Sequence, residues 1–427
     1  MSVIPPGLGL VPFRAFCGLL AALVLLAGCS AEYMGTPTDA TEIYSHDSAP
    51  AAVTRAPIVS LRSEGTQSKA EMGNAGSAPA AVAGSLSSPT STPTALATPK
   101  PETDLTRLWN DGVFHRKDLI YGSQIGSWPF QGRYDSYPLL TNPACQAISK
   151  QARIPVYRWM PWKPFTDLGG DMTDTQFERI IDGIQDTGAM VLIALPPVVN
   201  HQCAPQADVR WLKEIISRAG NRVVLYEFGN EPNYYCDWSP AHYAQEWIRV
   251  VPELKRYARS QGTEIYIGGP AWSNPWSDAI RELVTTTASV YKRTGDEDVI
   301  PSFLSFHAYG SLDRREPGAS ILARVPSFGE LVTQAQQMAI KAFGVRIPVA
   351  ITEWNFTVDT RDRRDLEKPF IWAFTTDMLG EFRARKLWLA NQFIFASGDD
   401  NLDMVDTSCN TKPMFDAFVQ HRASNSD

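Results

Sequence analysis

Two glutamates stand where a predicted strand passes into a loop, with amide and aromatic residues around them. Glu231 lies in YEFGNEPNYY, residues 226–235, between Asn230 and a proline. Glu353 lies in IPVAITEWN, residues 347–355. A carboxyl group at the end of a buried strand is held rigidly and can still meet solvent. Two such groups on one cleft could act as a general acid and a nucleophile.

Further polar side chains end neighbouring apolar runs. FLSFHAYG, residues 303–310, carries His307 and Tyr309, and RIPVYRWMPW, residues 153–162, carries Arg158. If these runs are parallel strands, their carboxyl ends share one face of the fold. A guanidinium, an imidazole, a phenol and an amide would then converge with the two carboxyl groups.

The elements that must position these groups are short apolar runs rich in β-branched and aromatic residues, which alternate with amphipathic helical patterns. The runs occupy residues 119–126, 153–162, 190–197, 222–231, 264–272, 303–310, 347–355 and 387–397. Near-continuous hydrophobicity indicates parallel strands covered on both faces. We therefore predict an α/β fold, a (β/α)8 TIM barrel, for residues 104–427. A doubly wound open sheet is the alternative, but no glycine-rich phosphate loop follows the first strand.

In such a barrel the fourth and seventh strands place Glu231 and Glu353 on opposite walls of one cleft. Glycosidic bond cleavage needs this pair, because one acid protonates the leaving oxygen while the other attacks the anomeric carbon or activates water. The chain also has 12 Trp and 14 Tyr, which supply flat apolar faces of the kind that bind sugars. We expect Trp272 and Trp354, close to these motifs, to stack on the substrate.

The motifs resemble those of the clan A glycoside hydrolases. FGNEPN is similar to the Asn-Glu-Pro signature of their fourth strand, ITEWN to their nucleophile strand and SFHAYG to their sixth strand. The resemblance covers about residues 117–400. It is closest to glycoside hydrolase family 39, which includes β-xylosidases and α-iduronidases, and more distant to families 51 and 5. The chain lacks the accessory β-sandwich of the exo-acting members, which puts those two specificities in doubt.

The resemblance implies a retaining hydrolase of O-glycosidic bonds, acting on an oligo- or polysaccharide without a cofactor or metal. Glu231 would be the acid/base and Glu353 the nucleophile. Asn230 would donate to the sugar 2-hydroxyl, and Arg158 would support the nucleophile. The two other residues implied to contact the site are His307 and Tyr309.

Each acid also has a structural interpretation. Glu231 could cap the helix that begins near Ser239, and Glu353 could be a buried ion-pair partner of Arg158. Glu227 shares the strand parity of Glu231, and we interpret it as a structural partner of a buried base. The alternative function is a non-catalytic carbohydrate-binding protein on the same barrel. A metal-dependent hydrolase is disfavoured, because His and Asp residues do not occur at ligand spacings.

The N-terminal segment predicts export. Arg14 precedes an apolar run, residues 17–27, that is roughly half the ~20 residues of a membrane span. The run ends in LAGC, which resembles the lipobox of bacterial lipoproteins. We predict a lipoprotein signal peptide at residues 1–28, an acylated Cys29 and a flexible Ala/Ser/Thr/Pro-rich tether at residues 29–103. The protein would be anchored in the bacterial cell envelope, facing the periplasm or the exterior.

Four cysteines follow Cys29, and an exported protein can pair them. Cys203 follows the third predicted strand and Cys236 the fourth, so their loops are neighbours. Cys145 follows the first strand and Cys409 the eighth, which meet when the barrel closes. We predict the disulfides Cys203–Cys236 and Cys145–Cys409.

The overall charge excludes one class of partner. The net charge is −7, so there is no excess of basic residues to neutralise the phosphates of a nucleic acid. With 44% hydrophobic residues the chain can bury a large core. We expect a monomer whose partners are a carbohydrate and, through its lipid, a membrane.

Overall fold

Parallel strands close into a barrel in which each strand pairs with the next and the eighth pairs with the first. The strands are β1 Gly122–Gln124, β2 Val156–Trp159, β3 Met190–Leu195, β4 Leu225–Phe228, β5 Tyr266–Trp272, β6 Leu304–Tyr309, β7 Val349–Asn355 and β8 Leu389–Gln392. Each coincides with one predicted apolar run, so the predicted (β/α)8 TIM barrel is confirmed. This computed structural model describes residues 104–126, 136–161, 172–196, 205–273, 277–398 and 401–425. The predicted signal peptide, Cys29 and the tether lie outside the described residues.

Helices alternate with the strands. They are α1 Pro138–Thr141, α2 Pro143–Ala152, α3 Asp174–Gln185, α4 Val209–Ala219, α5 Pro232–Cys236, α6 Pro240–Ser260, α7 Ser277–Thr294, α8 Gly318–Phe343, α9 Lys368–Ala384 and α10 Pro413–Ser424. None of these described helices combines the length and the apolar character that crossing a bilayer would demand.

Helix α3 shows how the sequence sets these elements. The Thr173 side chain accepts from the Gln176 backbone amide, and the Gln176 side chain accepts in turn from the Thr173 amide. This capping box satisfies amide groups that have no partner inside the helix. The buried stripe of α3 consists of Phe177, Ile180, Ile181 and Ile184. The stripe recurs at helical spacing, so one face of the helix packs on the barrel.

Three 3-10 turns precede β1 and close the barrel at the amino ends of its strands. They are Leu105–Trp109, Gly112–His115 and Asp118–Tyr121. Val113 and Leu119 belong to a buried apolar cluster with the first residues of several strands. The Trp388 indole Nε1 donates to the Val113 carbonyl at 3.0 Å. Because this end is plugged, the carboxyl ends of the strands form the open mouth.

One predicted disulfide lies within the described residues. Cys145 of α2 is bonded to Cys409, with their Cα atoms 5.0 Å apart. The predicted pair Cys145–Cys409 is therefore confirmed. Cys236 is disulfide-bonded as well, but its predicted partner Cys203 lies outside the described residues, so that pairing stays a prediction.

Candidate active site

One buried arginine organises the mouth of the barrel. Arg158 on β2 is fully buried, and its Nε donates to Glu227 Oε2 at 2.7 Å. Its Nη1 donates to Gln124 Oε1 at 2.8 Å and Glu353 Oε1 at 2.6 Å, and its Nη2 donates to Asn230 Oδ1 at 2.7 Å. Burial opposes the charge of this guanidinium, but Glu227 and Glu353 raise its pKa above the usual value. Arg158 thus forms ion pairs with Glu227 and Glu353. The interpretation of Glu227 as a structural partner of a buried base agrees with this pairing.

Glu353 on β7 receives strong donors on both of its oxygens. Arg158 donates to Oε1, and the Tyr309 hydroxyl donates to Oε2 at 2.6 Å. Burial and the nearby charge of Glu353 raise the pKa of Tyr309 well above its usual value, so the phenol remains a donor. The Glu353 side chain is 8% exposed. Its carboxylate is therefore fixed in orientation and still touches the cleft.

A histidine lies between the two glutamates. His307 on β6 is the register neighbour of Glu353 on β7. Its Nδ1 is 2.8 Å from Glu231 Oε1 and 3.5 Å from Glu353 Oε2. Burial alone would lower the pKa of His307, but Glu353 and Glu231 raise it above its usual value. His307 can thus carry a positive charge between the two acids.

The backbone presents Glu231 to the cleft. Its φ of 45° and ψ of 51° are left-handed, and its amide donates to the Ala271 carbonyl on β5 at 2.8 Å. Helix α5 begins directly after Glu231, yet the Glu231 side chain makes no capping hydrogen bond. The Ser239 side chain caps α6. The helix-cap interpretation of Glu231 is therefore wrong. A left-handed non-glycine residue costs about 1–3 kcal/mol, and such residues concentrate at functional sites.

The two carboxylates lie close enough to flank one bond. An oxygen of Glu231, an oxygen of Glu353 and a ring nitrogen of His307 all lie within 4.8 Å of one another. Within the described part of the chain this is the one His/acid cluster compact enough to hold a metal ion. The guanidinium of Arg158 already binds one Glu353 oxygen, and its positive charge disfavours a second cation beside it.

The structure does not bring the two predicted stacking tryptophans into the cleft. Trp354 is completely buried, and its ring packs against Phe374 and Phe382 of α9 at centroid distances of 6.3 and 5.7 Å. Trp272 is 3% exposed and lies edge-on to Tyr243 of α6 at 5.9 Å. Side chains alternate along a strand, so Trp354, the neighbour of the inward-pointing Glu353, points outward. The prediction that Trp272 and Trp354 stack on a sugar is therefore wrong in this structure.

Two residues at strand ends belong to the site but were not predicted. Gln124, at the end of β1, is fully buried and accepts from Arg158. Phe393 directly follows β8 and is partly exposed, with its ring edge-on to Tyr309 at 6.2 Å. Both lie inside predicted apolar runs. Their position at the carboxyl ends of strands was the signal that could have found them.

A tyrosine on α5 also borders the acids. Tyr235 is partly exposed, and its backbone amide donates to the Glu231 carbonyl at 3.0 Å. Burial, followed by the charges of Glu231 and Glu353, raises the pKa of Tyr235 well above its usual value. Its hydroxyl therefore lies within electrostatic reach of both carboxylates.

Comparison with known proteins shows likeness in fold. No family model and no curated protein matches the sequence. A glucosidase from Croceicoccus marinus superposes with a TM-score of 0.51 at 13% identity, over 71% of this chain and 67% of that one. A family 39 β-xylosidase from Caulobacter crescentus gives 0.49 at 14% identity, over 72% of each chain. A family 51 α-L-arabinofuranosidase from Thermotoga petrophila gives 0.49 at 14%, over 70% of this chain and 69% of that one.

The chain is therefore a (β/α)8 barrel, and its fold is similar to that of the Croceicoccus marinus glucosidase. Identities at this level show the architecture alone, and only the likeness to the glucosidase exceeds a TM-score of 0.5 among these three. Many chemistries share this fold, so the residues at the mouth decide the reaction.

Proposed function

We propose that this protein is a retaining glycoside hydrolase that cleaves O-glycosidic bonds of an oligo- or polysaccharide by double displacement. One observation supports this function most strongly: an oxygen of Glu231 and an oxygen of Glu353 lie within 4.8 Å of each other. Retaining enzymes hold their two carboxyl groups about 5–5.5 Å apart, whereas inverting enzymes leave roughly 6.5–9.5 Å for a water. An oxygen–oxygen distance of no more than 4.8 Å is nearer to the retaining spacing than to the inverting one, and it therefore supports retention.

In the first step Glu353 attacks the anomeric carbon while Glu231 gives its proton to the glycosidic oxygen. The bond from the anomeric carbon to that oxygen breaks, and a glycosyl ester forms on Glu353. The donors from Arg158 and Tyr309 hold the nucleophile in one orientation. The Glu231 side chain is 16% exposed against 8% for Glu353, which suits a group that must reach a departing oxygen.

In the second step Glu231, now a carboxylate, takes a proton from water. The water oxygen attacks the anomeric carbon and displaces Glu353, so the product keeps the configuration of the substrate. Once Glu231 has lost its proton, His307 can offset the added negative charge at 2.8 Å. The imidazole is therefore a positioning and charge-balancing group.

Asn230 and Phe393 would orient the sugar. Arg158 donates to Asn230 Oδ1, so the Asn230 amide nitrogen remains a donor for a ligand. A donor next to the nucleophile fits a contact with the sugar 2-hydroxyl, which strengthens as charge develops. The exposed part of the Phe393 ring offers an apolar face for the sugar.

We also propose that the enzyme acts in the bacterial cell envelope. The predicted lipobox at Cys29 would anchor the chain in a membrane, and residues 29–103 would let the barrel act as a monomer on carbohydrate in the periplasm or outside the cell. An exported enzyme is consistent with the disulfide Cys145–Cys409.

Hydrolysis of aryl-glycoside and polysaccharide panels, followed by proton NMR of the first-formed product anomer, tests the proposal. We expect turnover with retention for at least one sugar, and loss of turnover in Glu353→Gln. Inversion would refute the double displacement. Carbohydrate binding without hydrolysis, unchanged in Glu231→Gln and Glu353→Gln, would favour the non-catalytic binding protein.

A further inference from the structure

A basic cavity of about 540 Å³ opens at the plugged end of the barrel, opposite the acids. Its walls come from the 3-10 turns before β1 and from the loops that precede β7 and β8. Five of its lining residues are Lys or Arg, and none is Asp or Glu. These five residues are Arg116, Lys117, Arg346, Arg383 and Lys386.

Two of these five charges, Arg346 and Lys386, have no acidic partner among the described residues. Arg116 is paired with Asp118 through two hydrogen bonds, at 2.9 and 2.8 Å. Arg346 is exposed and donates to the neutral Gln336 side chain. Lys386 is exposed and has no acidic partner among the residues that the structure describes. Positive charge of this kind is unexpected in a chain of net charge −7 and would attract an anion.

The arginines beneath the neighbouring strands, in contrast, are paired with acidic residues. Before β6, Arg107 pairs with Glu297 and Arg259 pairs with Asp298, each at 2.5 Å. Those charges are neutralised within the protein. The basic cavity is thus a distinct sector beneath β7, β8 and β1, and general surface charge does not account for it.

The covalent path of the chain connects this sector to the proposed anchor. The described chain starts at Asp104, and its first turn ends at Trp109, one of the cavity walls. Everything upstream, including Cys29, is therefore joined to the barrel at its plugged end, where this cavity opens. The predicted tether of residues 29–103 would reach about 45–50 Å as a flexible chain. A domain confined that close to a lipid surface can use a contact that would be weak in free solution.

We propose that this cavity and its basic rim bind the headgroups of anionic phospholipids. The basic side chains come from three separate segments around the opening, which suits a surface of repeated phosphodiesters better than one small ion. Arginine forks match phosphate oxygens, and lysines add attraction near an anionic surface. The contact holds the barrel on the membrane with the acids pointing away, toward the polysaccharide. This inference relies on the proposed lipid anchor but does not depend on glycoside hydrolysis.

Sedimentation of the full chain with vesicles tests this inference. One set contains phosphatidylcholine alone, and the other contains phosphatidylglycerol as about one third of the lipid. The N-terminal apolar run contributes to binding in both sets, so the quantity of interest is the increment due to phosphatidylglycerol. We expect a roughly tenfold increment that disappears at about 0.5 M NaCl. The variant Arg346→Glu/Lys386→Glu should lose it.

The matched control reverses two exposed arginines at the other end of the barrel. Arg210→Glu/Arg281→Glu changes the net charge by the same amount, in side chains that are 96% and 59% exposed. It should keep the increment. Equal loss in both double variants, or no loss in the first, would overturn the inference. The neutral pair Arg346→Gln/Lys386→Gln guards against a folding defect, because it should lose part of the increment at an unchanged urea midpoint. Binding of free inorganic phosphate with no vesicle increment would also contradict it.

Discussion

Arg158 and Glu353 form a buried ion pair, with Nη1 of the arginine 2.6 Å from Oε1 of the glutamate. The same guanidinium also donates hydrogen bonds to Glu227 and Asn230. One cation therefore fixes the proposed nucleophile and the proposed sugar-binding amide together. The hydrogen bonds of Arg158 therefore stabilise the barrel mouth and orient the proposed catalytic residues at the same time.

Replacing Arg158 should destabilise the fold strongly. Arg158→Gln leaves the buried carboxylates of Glu227 and Glu353 without their cation, so we expect the free energy of unfolding to fall by about 3–5 kcal/mol. Urea titration measures the loss. The control is Arg256→Gln, which breaks an ion pair to Asp296 whose arginine is 55% exposed, and which should cost less than about 1 kcal/mol. Equal losses in the two variants would show that the Arg158 network is not a major support.

Removing the proposed acid should affect substrates according to their leaving groups. Glu231→Ala should slow poor leaving groups by about 10²–10⁴-fold, because the glycosidic oxygen departs without a proton. Activated aryl glycosides should react nearly normally in the first step and then stall, and added azide should release the glycosyl-enzyme as a glycosyl azide. The control is Asp237→Ala, which alters an exposed acid on the same loop. A uniform rate loss for all leaving groups would contradict the acid/base role.

The raised pKa of His307 predicts a specific dependence of stability on pH. The folded protein binds this proton more tightly than the unfolded chain, whose histidine pKa is about 6.5. The stabilisation is therefore complete below that value and is lost as pH rises through the higher folded pKa. The free energy of unfolding should exceed that of His307→Asn most at acidic pH, and the excess should shrink toward alkaline pH. Urea titrations across pH 5–9 measure it, and an excess that grows with pH would contradict the charge placement.

The lipid anchor can be tested in cells. Cys29→Ser removes the sulfur that would be acylated, so the protein should move from the washed membrane fraction to the soluble fraction. Metabolic labelling with a fatty acid should mark the wild type and not the variant. Cys236→Ser serves as the cysteine control and should remain in the membrane. Lipid labelling that persists in Cys29→Ser would show that the lipobox interpretation is wrong.

The barrel and its two acids follow from the sequence because they depend on local pattern. Apolar runs at regular intervals predict parallel strands, and carboxyl ends of such strands share a face. The confirmed pair Cys145–Cys409 followed from the closure of the barrel by the same reasoning. These features need no knowledge of individual side-chain contacts.

The remaining details depend on tertiary packing. A register shift between Phe306 and His307 brings His307 beside Glu353, and such a bulge is set by the neighbouring strand. The outward direction of Trp354, in contrast, follows from strand alternation once Glu353 is known to point inward. Phe393 packs edge-on against Tyr309 of β6, a contact between distant segments that no single run of residues encodes.

Trapping of the glycosyl-enzyme identifies the residue that attacks the anomeric carbon. The enzyme is incubated with an activated 2-deoxy-2-fluoro glycoside of whichever sugar it hydrolyses, and proteolytic peptides are mapped by mass spectrometry. The fluorine slows both steps, and a good leaving group lets the ester accumulate. We predict one adduct per chain on Glu353 and no adduct in Glu353→Gln. An adduct on Glu231, Glu227 or another carboxylate, or turnover of the parent glycoside with no adduct and with inversion, would contradict it.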